Sequence, residues 1–139
     1  MARDPLPPVA IALSFIDAIN HGDIDRLGSL MTEDHRLRVL DEPDLVGRDA
    51  NVEAWHGYAS SFPNYVIYPQ QVTENGDRVA VLGYTTGSHL GLPDEEERNL
   101  TLIWIAETAH GAIARWQLVD DTPDARGQYG FFGETSGPR

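Results

Sequence analysis

Residues 72–89 read VTENGDRVAVLGYTTGSH, and this stretch indicates the fold class. Near its start, Glu74-Asn75-Gly76-Asp77 is a strong hairpin signal, because Asn-Gly accepts the positive φ angles of a tight two-residue turn. The residues on either side are rich in β-branched and aromatic types, which favour strands. The pattern predicts two antiparallel strands, over residues 65–73 and 78–89.

The rest of the chain extends this hairpin into an α+β domain. Two further strands are predicted over residues 99–107 and 112–120. Upstream, apolar residues at helical spacing predict helices over residues 9–20, 24–31 and 49–62, with a strand over residues 35–40 between the second and the third. Three helices in the N-terminal half can cover the concave face of a curved antiparallel sheet, and the space between the two layers is a natural pocket.

Composition limits the domain count and the partners. The 139 residues favour one domain, which we assign to residues 1–121, followed by a Gly/Pro-rich tail over residues 122–139 that holds Tyr129, Phe131 and Phe132. A net charge of −12 repels phosphate backbones, so we expect no nucleic-acid partner. No apolar run is long enough to cross a membrane and no secretory signal is visible, so we expect a cytoplasmic protein without a membrane partner.

Six short motifs occur in order along the chain and together resemble the SnoaL-like proteins of the nuclear-transport-factor-2-like superfamily. They are Phe15 to Asp25, Val46 to Ala50, Phe62-Pro63-Asn64, Gly76 to Ala80, Thr86 to Gly91, and Trp116 to Asp120. The resemblance implies a cone-shaped, cystatin-like domain. It does not decide the activity, because the superfamily includes polyketide cyclases, steroid isomerases, epoxide hydrolases, dehydratases and non-catalytic binding modules.

Asp120 is the first catalytic candidate. Trp116, Leu118 and Asp120 stand at i, i+2 and i+4 of one predicted strand and therefore share a face. If the tryptophan faces the core, we expect the carboxyl to open into the pocket, where burial would raise its pKa and suit it to proton transfer. The resemblance implies the same role, since SnoaL-like cyclases use an Asp near this position as general acid/base. The alternative is an Asp that caps the turn over residues 120–123.

Two histidines are the other catalytic candidates. His89 shares the predicted inward parity of Val79 and Val81, and it could pair with Asp120 or bind a carbonyl or enolate oxygen. Its alternative is a rim histidine in a solvated loop. For His35 the alternative is a polar core or edge residue. Gly83 and Gly87 lie on the same predicted face as His89, where they either leave room for a ligand or bend the strand.

The remaining predicted pocket residues are apolar. By resemblance, steroid isomerases carry polar groups at the positions of Phe15, Val39 and Leu102, and limonene-type epoxide hydrolases carry an Asp at that of Leu118, which argues against both activities here. We expect a hydrophobic cavity with few polar groups and no metal site. Its predicted ligand-binding residues are Phe15, Val39, Trp55, Leu102, Trp104, Trp116 and Leu118.

Three functions fit this cavity. The first is a cyclase or isomerase of small polyketide-like carbonyl compounds, in which Asp120 transfers the proton and no cofactor is needed. The second is a protein that binds a small apolar molecule without turnover. The third is a dimeric interaction module. A homodimer through the outer sheet face is expected by resemblance and because Leu82 and Tyr84 are too apolar for an open face.

Overall fold

The computed structural model describes residues 6–131. Over this range the helices and strands alternate much as expected. They are α1 (Pro8–His21), α2 (Ile24–Ser29), β1 (Met31–Val39), β2 (Leu45–Val46), α3 (Arg48–Ser61), β3 (Val66–Asn75), β4 (Arg78–Thr86), α4 (Asp94–Glu97), β5 (Leu102–Ala109), β6 (Ala112–Asp120) and α5 (Pro123–Tyr129).

The strands form one six-stranded curved sheet in the order β2-β1-β6-β5-β4-β3. The predicted α+β class is therefore confirmed, with one correction to the predicted antiparallel sheet. β1 pairs with β6 in parallel, whereas the other neighbouring strands pair antiparallel. Two-residue turns join β3 to β4 and β5 to β6 and force these pairs to be antiparallel, whereas β1 is connected to the meander through β2 and α3 and is free of that constraint.

Two glycines explain the shape of β4, which is shorter than the predicted strand over residues 78–89. A Cβ at Gly83 would overlap the backbone carbonyl oxygen of Tyr68, opposite a bulge in β3 between Pro69 and Gln71. Gly87 has a φ of +71°, and a Cβ there would overlap the backbone of Asn64. Both glycines therefore permit close backbone approach and bending rather than making room for a ligand, and β4 ends at Thr86.

Each face of the sheet has its own apolar cluster. On the concave face, α1 packs Ile11, Phe15 and Ile16 against the inward side chains of the sheet, which include Val81 and Trp104. On the outer face, Ala80, Leu82, Ile103 and Ile105 are buried under Phe131 with help from Ala125 and Tyr129. Leu82 therefore gives no reason to expect a partner on this face, since the chain itself covers this residue.

The segment that covers the outer face is α5, within residues predicted to be a tail. Thr122 caps the helix by accepting a hydrogen bond from the Ala125 N–H at 3.0 Å. Asp121 accepts two hydrogen bonds from Arg126, at 2.6 and 2.8 Å, and these bonds hold the pKa of the Asp121 carboxyl below its usual range. Phe132, also expected in the tail, lies outside the described residues.

Two asparagines fasten the helices to the sheet. The Asn20 side chain, near the end of α1, exchanges two hydrogen bonds with the backbone of Ile67 in β3, at 2.8 and 3.0 Å. The buried Asn51 amide donates to the carbonyl oxygens of His35, Leu45 and Gly47 and so ties α3 to β1 and β2. These contacts set the gap between α3 and the sheet. Within residues 6–131, no helix has the length and apolar character needed to span a membrane.

Candidate functional site

An apolar cavity of about 200 Å³ lies between α3 and the concave face of the sheet. Strands β1, β5 and β6 form its floor, α3 forms its roof, and the segment after β4 reaches its rim. Aliphatic and aromatic side chains dominate the wall, and among residues 6–131 no arginine, aspartate or glutamate lines it. The lining residues are Leu37, Val39, Ala54, Trp55, Tyr58, Tyr65, His89, Trp104, Trp116 and Leu118.

All three tryptophans of the chain line this cavity. Trp104 and Trp116 stand on neighbouring strands β5 and β6 and are each 2% exposed. Trp55 faces them from α3, and its indole Nε1 is buried without a hydrogen-bond partner among the described residues. A buried donor without an acceptor is costly and uncommon in native proteins. The indole N–H is therefore an unsatisfied donor on a residue that lines the cavity.

Tyr58 and His89 form the polar pair of the cavity. The Tyr58 hydroxyl lies 2.9 Å from His89 Nδ1 and accepts the backbone N–H of His89 at 3.2 Å. Since the hydroxyl oxygen already accepts that N–H, its own proton is free to be donated to Nδ1, which leaves the proton of a neutral ring on Nε2. The pair therefore offers an imidazole N–H that is not committed to Tyr58.

Tyr65 completes the aromatic side of the wall. Its ring meets that of Tyr58 edge to face, with centroids 5.0 Å apart. Burial raises the pKa of the Tyr65 hydroxyl far above its ordinary value, and the nearby Tyr58 and Glu97 raise it further. The pKa of Tyr58 is raised mainly by burial as well. Both phenols are therefore protonated at neutral pH.

Glu97 is a buried carboxylate beside the rim, and it is 1% exposed. The Thr85 hydroxyl donates a hydrogen bond to Oε2, and the Ser88 N–H donates to Oε1 at 3.4 Å. Among residues 6–131, no cationic side chain lies within 4.0 Å of this carboxylate. Glu97 carries no predicted role from sequence, because it ends an acidic run, residues 94–97, that is typical of a solvated loop.

A second cavity, of about 360 Å³, lies between the end of α1, α2 and the end of α3. It shares Trp55, Tyr58 and Tyr65 with the apolar cavity, so these three rings separate the two spaces. Its other walls are more polar and include His21, His56 and Ser60.

Residues 12–116 match the family model described as the SnoaL-like domain. The chain belongs to the SnoaL-like family. The sequence resemblance, with its cystatin-like and nuclear-transport-factor-2-like fold, is thus confirmed. No curated protein matches the chain significantly.

Solved structures agree on the fold of this SnoaL-like domain. An uncharacterised cystatin-fold protein from Novosphingobium aromaticivorans has a TM-score of 0.70 at 16% identity, covering 81% of this chain and 97% of that chain. A candidate polyketide cyclase from Sinorhizobium meliloti has a TM-score of 0.65 at 27% identity, covering 81% and 94%. A candidate SnoaL-like polyketide cyclase from Jannaschia has a TM-score of 0.68 at 19% identity, covering 96% and 99%.

The SnoaL-like cavity includes most of the apolar residues that were predicted to bind a ligand. Val39, Trp55, Trp104, Trp116 and Leu118 all line it. Two other predicted residues, Phe15 and Leu102, do not. Phe15 is fully buried and packs between the rings of His35 and Trp116, with centroids 5.9 and 4.8 Å away. Leu102 is half-buried at the end of β5, where it packs against the core outside the cavity wall.

The expectation that Asp120 opens into the cavity is wrong. The register of β5 and β6 is regular over residues 116–120, so Asp120 does share the inward parity of Trp116 and Leu118. Burial nevertheless decreases along the strand, from a buried Trp116 through a half-buried Leu118 to an exposed Asp120. Parity fixes the face of the sheet, but Asp120 lies at the strand end, past the covered part of that face.

The two predicted histidines occupy different environments. His89 lies in the segment after β4, exposed at the cavity rim, and its partner is Tyr58 rather than Asp120. His35 is fully buried beside Phe15 of α1 and outside the cavity lining, where its Nδ1 lies 2.7 Å from the Ile113 carbonyl oxygen and its Nε2 has no described partner. Burial lowers the pKa of His35, so the ring is neutral at pH 7. The structure does not bring Asp120, His89 and His35 together as a catalytic set.

Proposed function

We propose that this SnoaL-like domain binds a small, mainly apolar molecule that carries at least one hydrogen-bond acceptor oxygen. The observation that carries the proposal is the unpaired indole N–H of Trp55 in the wall of an apolar cavity. The aliphatic and aromatic wall favours an apolar body, since burying apolar surface is the dominant source of affinity in such pockets. The buried donor favours a carbonyl or ether oxygen over a pure hydrocarbon.

Isothermal titration calorimetry with naphthyl methyl ketone tests this proposal. We expect saturable binding with a negative heat-capacity change, which marks the burial of apolar surface. Ala54 lines the cavity and Ala50 lies one turn earlier on α3 outside it, so Ala54→Phe should weaken binding while the matched Ala50→Phe leaves it unchanged. Equal affinity of the two variants, or no saturable binding to the wild type, would contradict the proposal.

Trp55→Phe tests the hydrogen bond separately from the apolar contact. Removing the indole N–H should lower the affinity for naphthyl methyl ketone by about three- to tenfold, the net value of one hydrogen bond. Binding of ethylnaphthalene, which has no acceptor, should not show this additional loss. If the substitution lowers the affinity for both ligands equally, Trp55 contributes only packing.

A second candidate function is proton transfer at a carbonyl compound, and the Tyr58–His89 pair favours it. In this reaction the His89 Nε2–H donates a hydrogen bond to the carbonyl oxygen while a water molecule removes the α-proton, and the enolate oxygen then takes a proton from the resulting hydronium ion, which gives the enol and leaves the imidazole neutral. Several solved neighbours are named as candidate polyketide cyclases. Deuterium exchange of the ketone methyl group in D₂O tests it, and exchange no faster than in buffer would leave binding without turnover.

A further inference from the structure

Glu97 stands out because it is a buried charge without a described counter-ion. It is 1% exposed, and its two hydrogen bonds come from neutral donors, the Thr85 hydroxyl and the Ser88 N–H. A buried carboxylate is costly unless it is paired with a cation or well hydrogen-bonded. Two donors hold this carboxylate in place without neutralising it, so its negative potential extends into the surroundings.

The cavity rim lies directly beside this charge. Ser88, which donates to Glu97, is followed by His89, which lines the cavity and donates its backbone N–H to Tyr58 at 3.2 Å. Successive backbone N–H groups therefore connect the carboxylate on one side with the cavity wall on the other. The charge also raises the pKa of both wall tyrosines, as a secondary effect after their burial.

Among residues 6–131, no arginine or lysine side chain in the cavity wall offsets this potential. Its lining contains no arginine, and the chain contains no lysine. The nearest cation in sequence is Arg98, which is exposed. An anionic ligand would therefore meet both the loss of its hydration and an uncompensated negative charge.

We propose that Glu97 is a specificity-determining residue that restricts the cavity to neutral and cationic ligands and excludes carboxylates. This inference rests on the proposed ligand-binding function and adds the charge class of the ligand. For a ligand charge about 10 Å from Glu97, Coulomb's law at an effective dielectric constant of about 20 gives roughly a tenfold change in affinity.

Three naphthyl probes of similar size separate this effect from simple desolvation. They are naphthyl methyl ketone, naphthylmethylamine and naphthoate, which are neutral, cationic and anionic at pH 7. Loss of hydration penalises both charged probes, whereas Glu97 penalises only the anion. We expect wild-type protein to bind the amine at least about tenfold more tightly than naphthoate, as the Coulomb interaction requires.

Glu97→Gln removes the charge while its amide oxygen can still accept one of the two hydrogen bonds. The preference for amine over naphthoate should then fall to about threefold or less. The remaining preference comes from the protein's net charge of −12. Glu95→Gln is the matched control, since it removes one charge from an exposed position of the same short helix, and it should keep the wild-type preference.

The outcomes separate the two proposals. If the ketone binds but wild-type protein does not prefer the amine to naphthoate, the role of Glu97 is overturned and the binding function stands. The same conclusion follows if Glu95→Gln narrows the preference as much as Glu97→Gln. If no probe binds, both proposals are overturned. The wild-type comparison decides the question even if Glu97→Gln fails to fold.

Discussion

Tyr58 and His89 are 31 positions apart, and their contact shows how single residues build this cavity. Strand parity and helical spacing place Val39, Trp55, Trp104, Trp116 and Leu118 in the wall, because those periodicities depend only on local geometry. They do not reveal the Tyr58–His89 pair, since His89 follows the bend at Gly87, where strand parity no longer applies. The role of Glu97 was equally hidden, because its burial depends on contacts with Thr85 and Ser88.

His35 makes stability depend on pH. Burial lowers its pKa in the folded protein, so the unfolded chain binds a proton more readily than the folded one. Stability should therefore fall as the pH drops below about 6.5, by at most about 1.4 kcal/mol per pH unit for this residue. Urea unfolding between pH 7.5 and 5.5 should show this loss in the wild type and less of it in His35→Gln. The exposed control His56→Gln should keep the wild-type slope, and an unchanged slope in His35→Gln would refute the assignment.

At the scale of elements, the sequence predicted the strands of the meander well and missed the short elements β2, α4 and α5. The strand over residues 112–120 has the predicted bounds because β-branched and aromatic residues end at clear turn signals. The C-terminal helix was missed because its glycine-containing seven residues carry little periodicity, although Thr122 followed by Pro123 is a helix-start signal. β2 has only two residues and owes its position to pairing with β1.

Two glycines in different elements should respond oppositely to alanine. Gly83→Ala should destabilise the fold strongly, because the new Cβ overlaps the Tyr68 backbone, which belongs to the paired strand. Gly57→Ala in α3 meets nothing within 4 Å and should stabilise the protein by about 0.5–1 kcal/mol through helix propensity. Urea unfolding of the two variants measures both effects, and a tolerated Gly83→Ala would contradict the close approach of β3 and β4.

Packing of the C-terminal segment on the outer face of the sheet should contribute a large part of the domain's stability. Phe131 is 5% exposed and covers the outer cluster, so Phe131→Ala should cost about 3 kcal/mol. Leu100 is 47% exposed, and Leu100→Ala should stay within about 0.5 kcal/mol of the wild type. Chemical denaturation gives both values. Similar small losses in both variants would mean that the segment does not pack on the sheet in solution.

At the scale of the whole molecule, the covered outer face leaves less surface on which a second copy could bind. The homodimer through this face stays a prediction. Because Phe131 and residues of α5 cover Leu82, we propose that the contact uses the end of β3 and β4 that holds Tyr68 and Tyr84, whose rings stack with centroids 4.8 Å apart. Light scattering at micromolar concentration should give the mass of a dimer, and Tyr84→Arg should give that of a monomer. A monomeric wild type would contradict the prediction.

The central claim is that the cavity under α3 binds a neutral ligand through the Trp55 indole, and NMR of the three indole N–H groups tests it most directly. Trp55, Trp104 and Trp116 are the only tryptophans of the chain, so they give three side-chain signals, all from the cavity wall. Saturation with naphthyl methyl ketone should shift the Trp55 N–H proton downfield as it forms a hydrogen bond, with nuclear Overhauser contacts from the ligand to the indole rings. Indole signals that stay unmoved while surface amides respond would contradict the account.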